Sequence, residues 1–131
     1  MAKNVRKLIG VEIIEEAIEA AKRNATRNGY KNTEFYAGDA SKLASDLAKR
    51  ELHSDVIVVD PPRKGITPEV IDACVTMAPE RIVYVSCNVA TLARDIALFK
   101  EKGYSVTKLR FVDLFPRTVH LEAVALLTRN K

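Results

Sequence analysis

One thiol and four carboxylates occupy positions where this chain could do chemistry. Cys87 stands in Ser86-Cys87-Asn88, where the apolar run Ile82-Val83-Tyr84-Val85 stops, just before a helical pattern that begins at Thr91. The first N–H groups of a helix stabilise negative charge, so a thiol at a strand-to-helix turn can be a nucleophile. The plainer reading is a small buried hydrophobe, which Cys74, inside a helical stretch, exemplifies. Glu122 opens the run Leu121-Glu122-Ala123-Val124-Ala125-Leu126-Leu127, where alternation alone does not account for an acid. A carboxylate shielded from water can serve as a general base, whereas one at a wet strand end does nothing special.

Three further acids sit at ends of expected strands. Glu12 can accept both hydroxyls of a ribose, or simply favour the start of the next helix. Asp39 follows Gly38 and can take a hydrogen bond from an adenine amino group, or act as a turn residue or helix cap. Asp60 leads Asp60-Pro61-Pro62-Arg63-Lys64-Gly65. Two prolines make that loop stiff and hold the carboxylate and its neighbouring carbonyls at fixed angles; strand-end punctuation would need only one. Arg63 and Lys64 can meet a phosphate or stay solvated.

The elements that must position these groups alternate. The pattern predicts strands over Lys7–Glu12, Asn32–Tyr36, Asp55–Asp60, Arg81–Ser86, Ser105–Val112 and His120–Thr128. Helices are expected over Ile14–Asn28, Ser41–Leu52, Thr67–Ala78 and Thr91–Lys102. The strand at Asp55–Asp60 reads as buried on both faces, and a loop over Asp113–Val119 joins the last two strands. The order predicts an α/β fold: a mostly parallel sheet flanked by helices, with an antiparallel strand pair at the end. Ligands of such sheets gather at the carboxyl ends of the strands, where Glu12, Asp39, Asp60 and Cys87 would share one rim.

At 131 residues the chain has room for one domain. A net charge of +4 permits an acidic partner such as RNA without requiring one. No apolar run approaches the about 20 residues of a membrane span, and the basic start lacks the apolar stretch of a secretory signal. The two cysteines then read as reduced cytosolic thiols, and the cytoplasm is the expected location. His53 and His120 are isolated, so metal-ligand spacing is absent.

Taken together, Ile9-Gly10-Val11-Glu12, Gly38-Asp39-Ala40, Asp60-Pro61-Pro62-Arg63-Lys64-Gly65, Tyr84-Val85-Ser86-Cys87-Asn88 with Ala90-Thr91-Leu92-Ala93-Arg94-Asp95, and Asp113-Leu114-Phe115-Pro116 with His120-Leu121-Glu122 resemble the RNA uracil-5 methyltransferases. That family makes 5-methyluridine in transfer and ribosomal RNA with S-adenosylmethionine. The segments follow the family's order over almost the whole chain. The resemblance implies a Rossmann-like class I methyltransferase fold, Cys87 as nucleophile, Glu122 as base, and Glu12, Asp39 and Asp60 around the cofactor.

Two departures stand out. Val89 occupies a position that is usually proline in the family. The strand and glycine-rich loop that precede the segment matching Ala2–Glu12 in family members are missing. Residues 1–131 therefore look like the C-terminal part of a catalytic domain, expected to be inactive alone and to self-associate through exposed sheet edges. Two other readings remain. An amino-group methyltransferase acting on adenine or guanine would carry an aromatic residue where Arg63 stands. A noncatalytic RNA- or nucleotide-binding remnant would need none of this chemistry.

Overall fold

Two β-sheets carry the candidate residues. In the computed structural model, which describes residues 1–49, 53–114, 117 and 121–130, the chain falls into two units, Met1–Asp46 and Leu47–Lys131.

The first unit opens with a short 3-10 turn at Ala2–Asn4, followed by β1 (Leu8–Glu12), α1 (Glu15–Arg27) and β2 (Thr33–Ala37). β1 and β2 pair in parallel from Leu8↔Thr33 to Glu12↔Ala37. A parallel pair needs a crossover, and α1 supplies it, burying Ile18 and Ala25. Gly10 is required by close approach: a Cβ there would stand 2.7 Å from Cδ1 of Phe35. α2 (Ala40–Lys49) follows, starting one residue earlier than its expected start at Ser41. The expected end of that helix, residues 50–52, lies outside the described residues.

The second unit contains β3 (Val56–Val59), α3 (Pro68–Thr76), β4 (Arg81–Ser86), α4 (Val89–Glu101), β5 (Tyr104–Val112) and β6 (Glu122–Arg129). Its sheet order is β3-β4-β6-β5. β3 and β4 are parallel, while β6 runs antiparallel to both β4 and β5. The sheet is therefore mixed rather than mostly parallel. The last strand inserts between β4 and β5 instead of adding outside its hairpin partner, which creates a second antiparallel ladder.

β3 also departs from expectation. Its apolar run reads as buried on both faces, yet Val56 and Val58 are 41% and 43% exposed. Only Ile57 and Val59 pack against the core. The strand stands at the edge of its sheet, with β4 its one neighbour among the described strands.

The core joins α3, α4 and the sheet through Ile71, Ile82, Tyr84, Phe99, Tyr104 and Leu127, all almost inaccessible to water. Phe99 meets Tyr104 edge to face, with ring centroids 6.1 Å apart. The Tyr104 hydroxyl donates to the Pro79 carbonyl at 2.8 Å, satisfying its one buried polar atom. No helix among the described residues is long and apolar enough to cross a membrane.

Candidate active site

Cys87 lies between β4 and α4, half-buried and reduced. Its turn is fixed on both sides. The Ser86 hydroxyl accepts from the Asn88 N–H at 3.1 Å and donates to the Asn88 carbonyl at 3.0 Å. Asn88 is the N-cap of α4, its side-chain oxygen accepting from the Ala90 N–H at 3.1 Å. The helix thus begins two residues before the expected Thr91, because Asn88 rather than the periodic run sets its start. Cys74, by contrast, is buried in α3, and burial pushes its thiol up to about 12. It is a core residue, as its sequence context suggests.

Glu122 opens β6, its backbone paired with Val112 of β5. The β4–β6 ladder runs from Arg81↔Thr128 to Ser86↔Ala123. Cys87 and Glu122 are the next residues beyond that final pair, at the same end of adjacent strands. Glu122 belongs to the half-buried face of β6 with Val124 and Leu126, opposite the fully buried Ala123, Ala125 and Leu127. His120 and Phe115-Pro116, which accompany Glu122 in the sequence motif, lie outside the described residues.

Asp60 follows β3 directly and is exposed. The parallel register, ending at Val59↔Tyr84, places it at the same end of the sheet as Cys87. The loop it leads turns through a Gly65 N–H to Pro62 carbonyl bond of 2.9 Å. Arg63 and Lys64 are exposed, and their side chains make no hydrogen bond or ion pair among the described residues.

Glu12 and Asp39 belong to the first unit. Glu12 closes β1, and its carboxylate accepts from the Ile14 N–H at 3.0 Å. Asp39, two residues beyond β2, accepts from the Ser41 and Lys42 N–H groups at 2.8 and 3.3 Å through one oxygen, and from the Ser41 hydroxyl. The Ser41 hydroxyl, then the two amides, hold its carboxyl below the usual range. Both acids thus serve the starts of helices, the plainer role open to each. Each bond described uses a single oxygen, so the second oxygen of each remains an acceptor for hydroxyl or amino groups. Asp60 has no described side-chain bond. The chemistry of the Glu12 and Asp39 acceptors fits the ribose and adenine of a nucleoside. Among the described residues, no group of His, Cys, Asp and Glu is placed to hold a metal.

A set of polar residues escaped the sequence reading. Asp95 is fully buried, and with Asn88, Thr91 and Arg94 it bonds the backbone of residues 63–66. A signal was available. Leu92, Asp95, Ile96 and Phe99 follow the i, i+3, i+4, i+7 spacing of a core-facing stripe, and an acid in such a stripe needs partners.

Residues 1–130 match the family profile described as tRNA (Uracil-5-)-methyltransferase. An "Uncharacterized RNA methyltransferase" of Lactobacillus johnsonii is 51% identical over all of this chain, which spans 29% of that protein. Another, from Caldanaerobacter subterraneus, is 46% identical over 99% of the chain and 28% of its own length. Among solved structures, the Pyrococcus abyssi tRNA (uracil-54, C5)-methyltransferase in complex with S-adenosyl-L-homocysteine superposes with a TM-score of 0.83. It is 34% identical, over 97% of this chain and 30% of that one. NSun6 from Pyrococcus horikoshii, at 17% identity and a TM-score of 0.71, shares the fold. The chain therefore spans under a third of the length of the two bacterial relatives and of the Pyrococcus abyssi protein, and 42% of NSun6.

Proposed function

Because the chain belongs to the tRNA (uracil-5-)-methyltransferase family, we propose that it forms the thiol-bearing part of a catalytic domain that methylates C5 of a uridine in transfer or ribosomal RNA. The observation that carries this reading is the β4–β6 register. It supports a nucleophile and a base at neighbouring strand ends, facing one pyrimidine.

C5 of uracil is a weak nucleophile. The Cys87 thiolate adds to C6, and the ring becomes an enolate whose electron density sits at C5. S-adenosylmethionine, when bound, supplies the methyl group as an electrophilic sulfonium. Glu122 then removes the proton left on C5. The electron pair returns to the ring, the C6–S bond breaks and the thiolate is regenerated. The Asn88-capped start of α4 fixes the turn that carries the sulfur. The uridine must leave its base stack to reach a thiol at a sheet end.

Glu12, Asp39 and Asp60 are the residues assigned to the cofactor, as acceptors for its hydroxyl and amino groups. The exposed Arg63 and Lys64 and the net positive charge suit an RNA partner. Cytoplasmic RNA is the natural substrate for a reduced thiol of this kind.

The test is a covalent trap. A chimera in which this chain replaces the matching segment of the Lactobacillus johnsonii relative is incubated with S-adenosylmethionine and RNA containing 5-fluorouracil. With fluorine at C5 there is no proton to remove, so a protein–RNA adduct should accumulate, and Cys87→Ala should abolish it. An adduct formed equally by Cys87→Ala would overturn the nucleophile. The 131-residue chain alone is expected to be inactive and to bind S-adenosylmethionine weakly or not at all; micromolar binding in a calorimeter would contradict that.

A further inference from the structure

The bonds between α4 and the loop that follows β3 run along one face of the helix. From its N-cap, the Asn88 side-chain N–H donates to the Arg63 carbonyl at 3.0 Å. One turn on, the Thr91 hydroxyl donates to that same carbonyl at 3.1 Å. In the next turn, Arg94 Nη2 donates to the Lys64 carbonyl at 2.9 Å, and Asp95 Oδ2 accepts from the Ile66 N–H at 2.9 Å. Spacing at i, i+3, i+6 and i+7 keeps all four side chains on a single stripe.

Asp95 anchors this stripe. It is fully buried, yet all its demands are met: Oδ2 also accepts from the Tyr84 hydroxyl at 2.6 Å, and Oδ1 accepts from Arg94 Nε at 2.9 Å and is ion-paired with Nη2 at 2.8 Å. Burial, then the Asp95 carboxylate, raise the Tyr84 hydroxyl above its ordinary value, so it stays a donor. Gly65 is where the helix and loop come closest. Its φ of +78° suits glycine, and a Cβ would stand 2.6 Å from Arg94 Nη2 and closer still to Asp95 Oδ2. The fold thus devotes a buried charge, a tyrosine, an arginine and a glycine to holding a short surface loop against a helix.

That helix starts two residues after Cys87, and that loop carries Asp60. Resting on the functional reading above, we propose that Arg94 and Asp95 are positioning residues that lock the residue 60–66 loop and the Cys87 turn into one rigid unit, so that the nucleophile and the loop meet the target nucleotide at a fixed separation. Neither touches the reacting atoms. They act through the backbone of Arg63, Lys64 and Ile66. Preorganisation of this kind lowers the barrier to attack without strengthening substrate binding, so its loss is read in rate rather than in affinity.

Two measurements test it. In the 131-residue chain, Arg94→Ala and Asp95→Asn should speed hydrogen exchange at the Ile66 amide at least tenfold while the amides of Ala125 and Leu127 stay protected. Unchanged exchange at Ile66, or equal loosening of the sheet, would overturn the clamp. In the chimera, both variants should slow adduct formation with 5-fluorouracil RNA at least tenfold, with half-saturating RNA and cofactor concentrations within twofold of the parent's. Because the Arg94 side chain is 54% exposed, millimolar guanidinium should restore part of the Arg94→Ala rate, which a merely structural loss would not allow. Adducts formed at the parent's rate would overturn the positioning role alone. No adduct from the unsubstituted chimera would overturn the functional reading, and the positioning role with it.

Discussion

Cys87 and Glu122 stand one residue beyond the last pair of the β4–β6 ladder, Ser86↔Ala123, at the same end of neighbouring antiparallel strands. Antiparallel pairing makes this possible for residues far apart in sequence, because the end of one strand lies beside the beginning of the next. The mechanism proposed above gives the two groups different fates on substitution. Cys87→Ala in the chimera removes the nucleophile and should abolish both adduct and product. Glu122→Gln keeps the nucleophile and loses the base. With ordinary uridine it should form the methylated adduct and fail to resolve it, lowering turnover by about 10²–10⁴-fold. A denaturing gel separates the outcomes: an RNA-linked band for Glu122→Gln and none for Cys87→Ala. Unimpaired turnover of Glu122→Gln would remove Glu122 from the mechanism.

Gly65→Ala should destabilise the second unit. The residue sits at φ +78°, and the new Cβ would press on Arg94 and Asp95. Strain of this kind costs about 1–3 kcal/mol, and displacing Asp95 threatens the bonds of Tyr84 and Ile66 as well. A urea midpoint equal to the parent's would show that the loop can move aside freely.

Alkaline pH should weaken the fold through Cys74. Burial raises its thiol from 9.0 to about 12. The stabilisation tied to the neutral thiol is full below pH 9 and is lost as pH rises from 9 toward 12, because only the unfolded chain ionises there. The slope approaches about 1.4 kcal/mol per pH unit for one group. Tyr84 and Tyr104, both raised chiefly by burial, add losses of the same sign above pH 10. Urea midpoints at pH 8 and 9.8 isolate the thiol. Cys74→Ala should flatten the fall between them, and an unchanged slope would mean that another group carries it.

Local patterns made the elements of this fold legible, and the pairing of its strands much less so. Apolar runs with helical stretches between them located β1 through β4, and Gly-stopped periodicity located α1 and α4, each to within a residue or two. The position of β6 between β4 and β5 is a long-range choice that no run of residues encodes, so the expected, mostly parallel sheet became a mixed one. The same holds for the site. Cys87 and Asp60 advertise themselves by sitting at the ends of apolar runs, and Glu122 by interrupting an alternation. Asp95 looks like an ordinary helix acid until its burial is known, and its partners at Ile66 and Tyr84 come from two other elements. The sequence around Glu12 and Asp39 allows two roles for each. The structure displays the helix-start role and leaves a second carboxylate oxygen available for the other.

The edge strand β3 gives the last prediction, self-association of the isolated chain. Val56 and Val58 are exposed side by side on one face, and the outer edge of the strand carries backbone donors and acceptors that no described strand pairs. Uncharged, β-branched edges of this kind template further strand pairing, and most proteins blunt them with a charge or a bulge. β3 has neither: its register with β4 is unbroken from Val56↔Arg81 to Val59↔Tyr84. Light scattering of the 131-residue chain should show mass rising with concentration. Val58→Lys should reverse much of that rise, since a lysine on the exposed face must be buried for a second copy to pair there. The substitution leaves the core untouched, because Ile57 and Val59 are the β3 residues packed against it. A monomer at millimolar concentration, or association indifferent to Val58→Lys, would show that β3 is not the sticky edge.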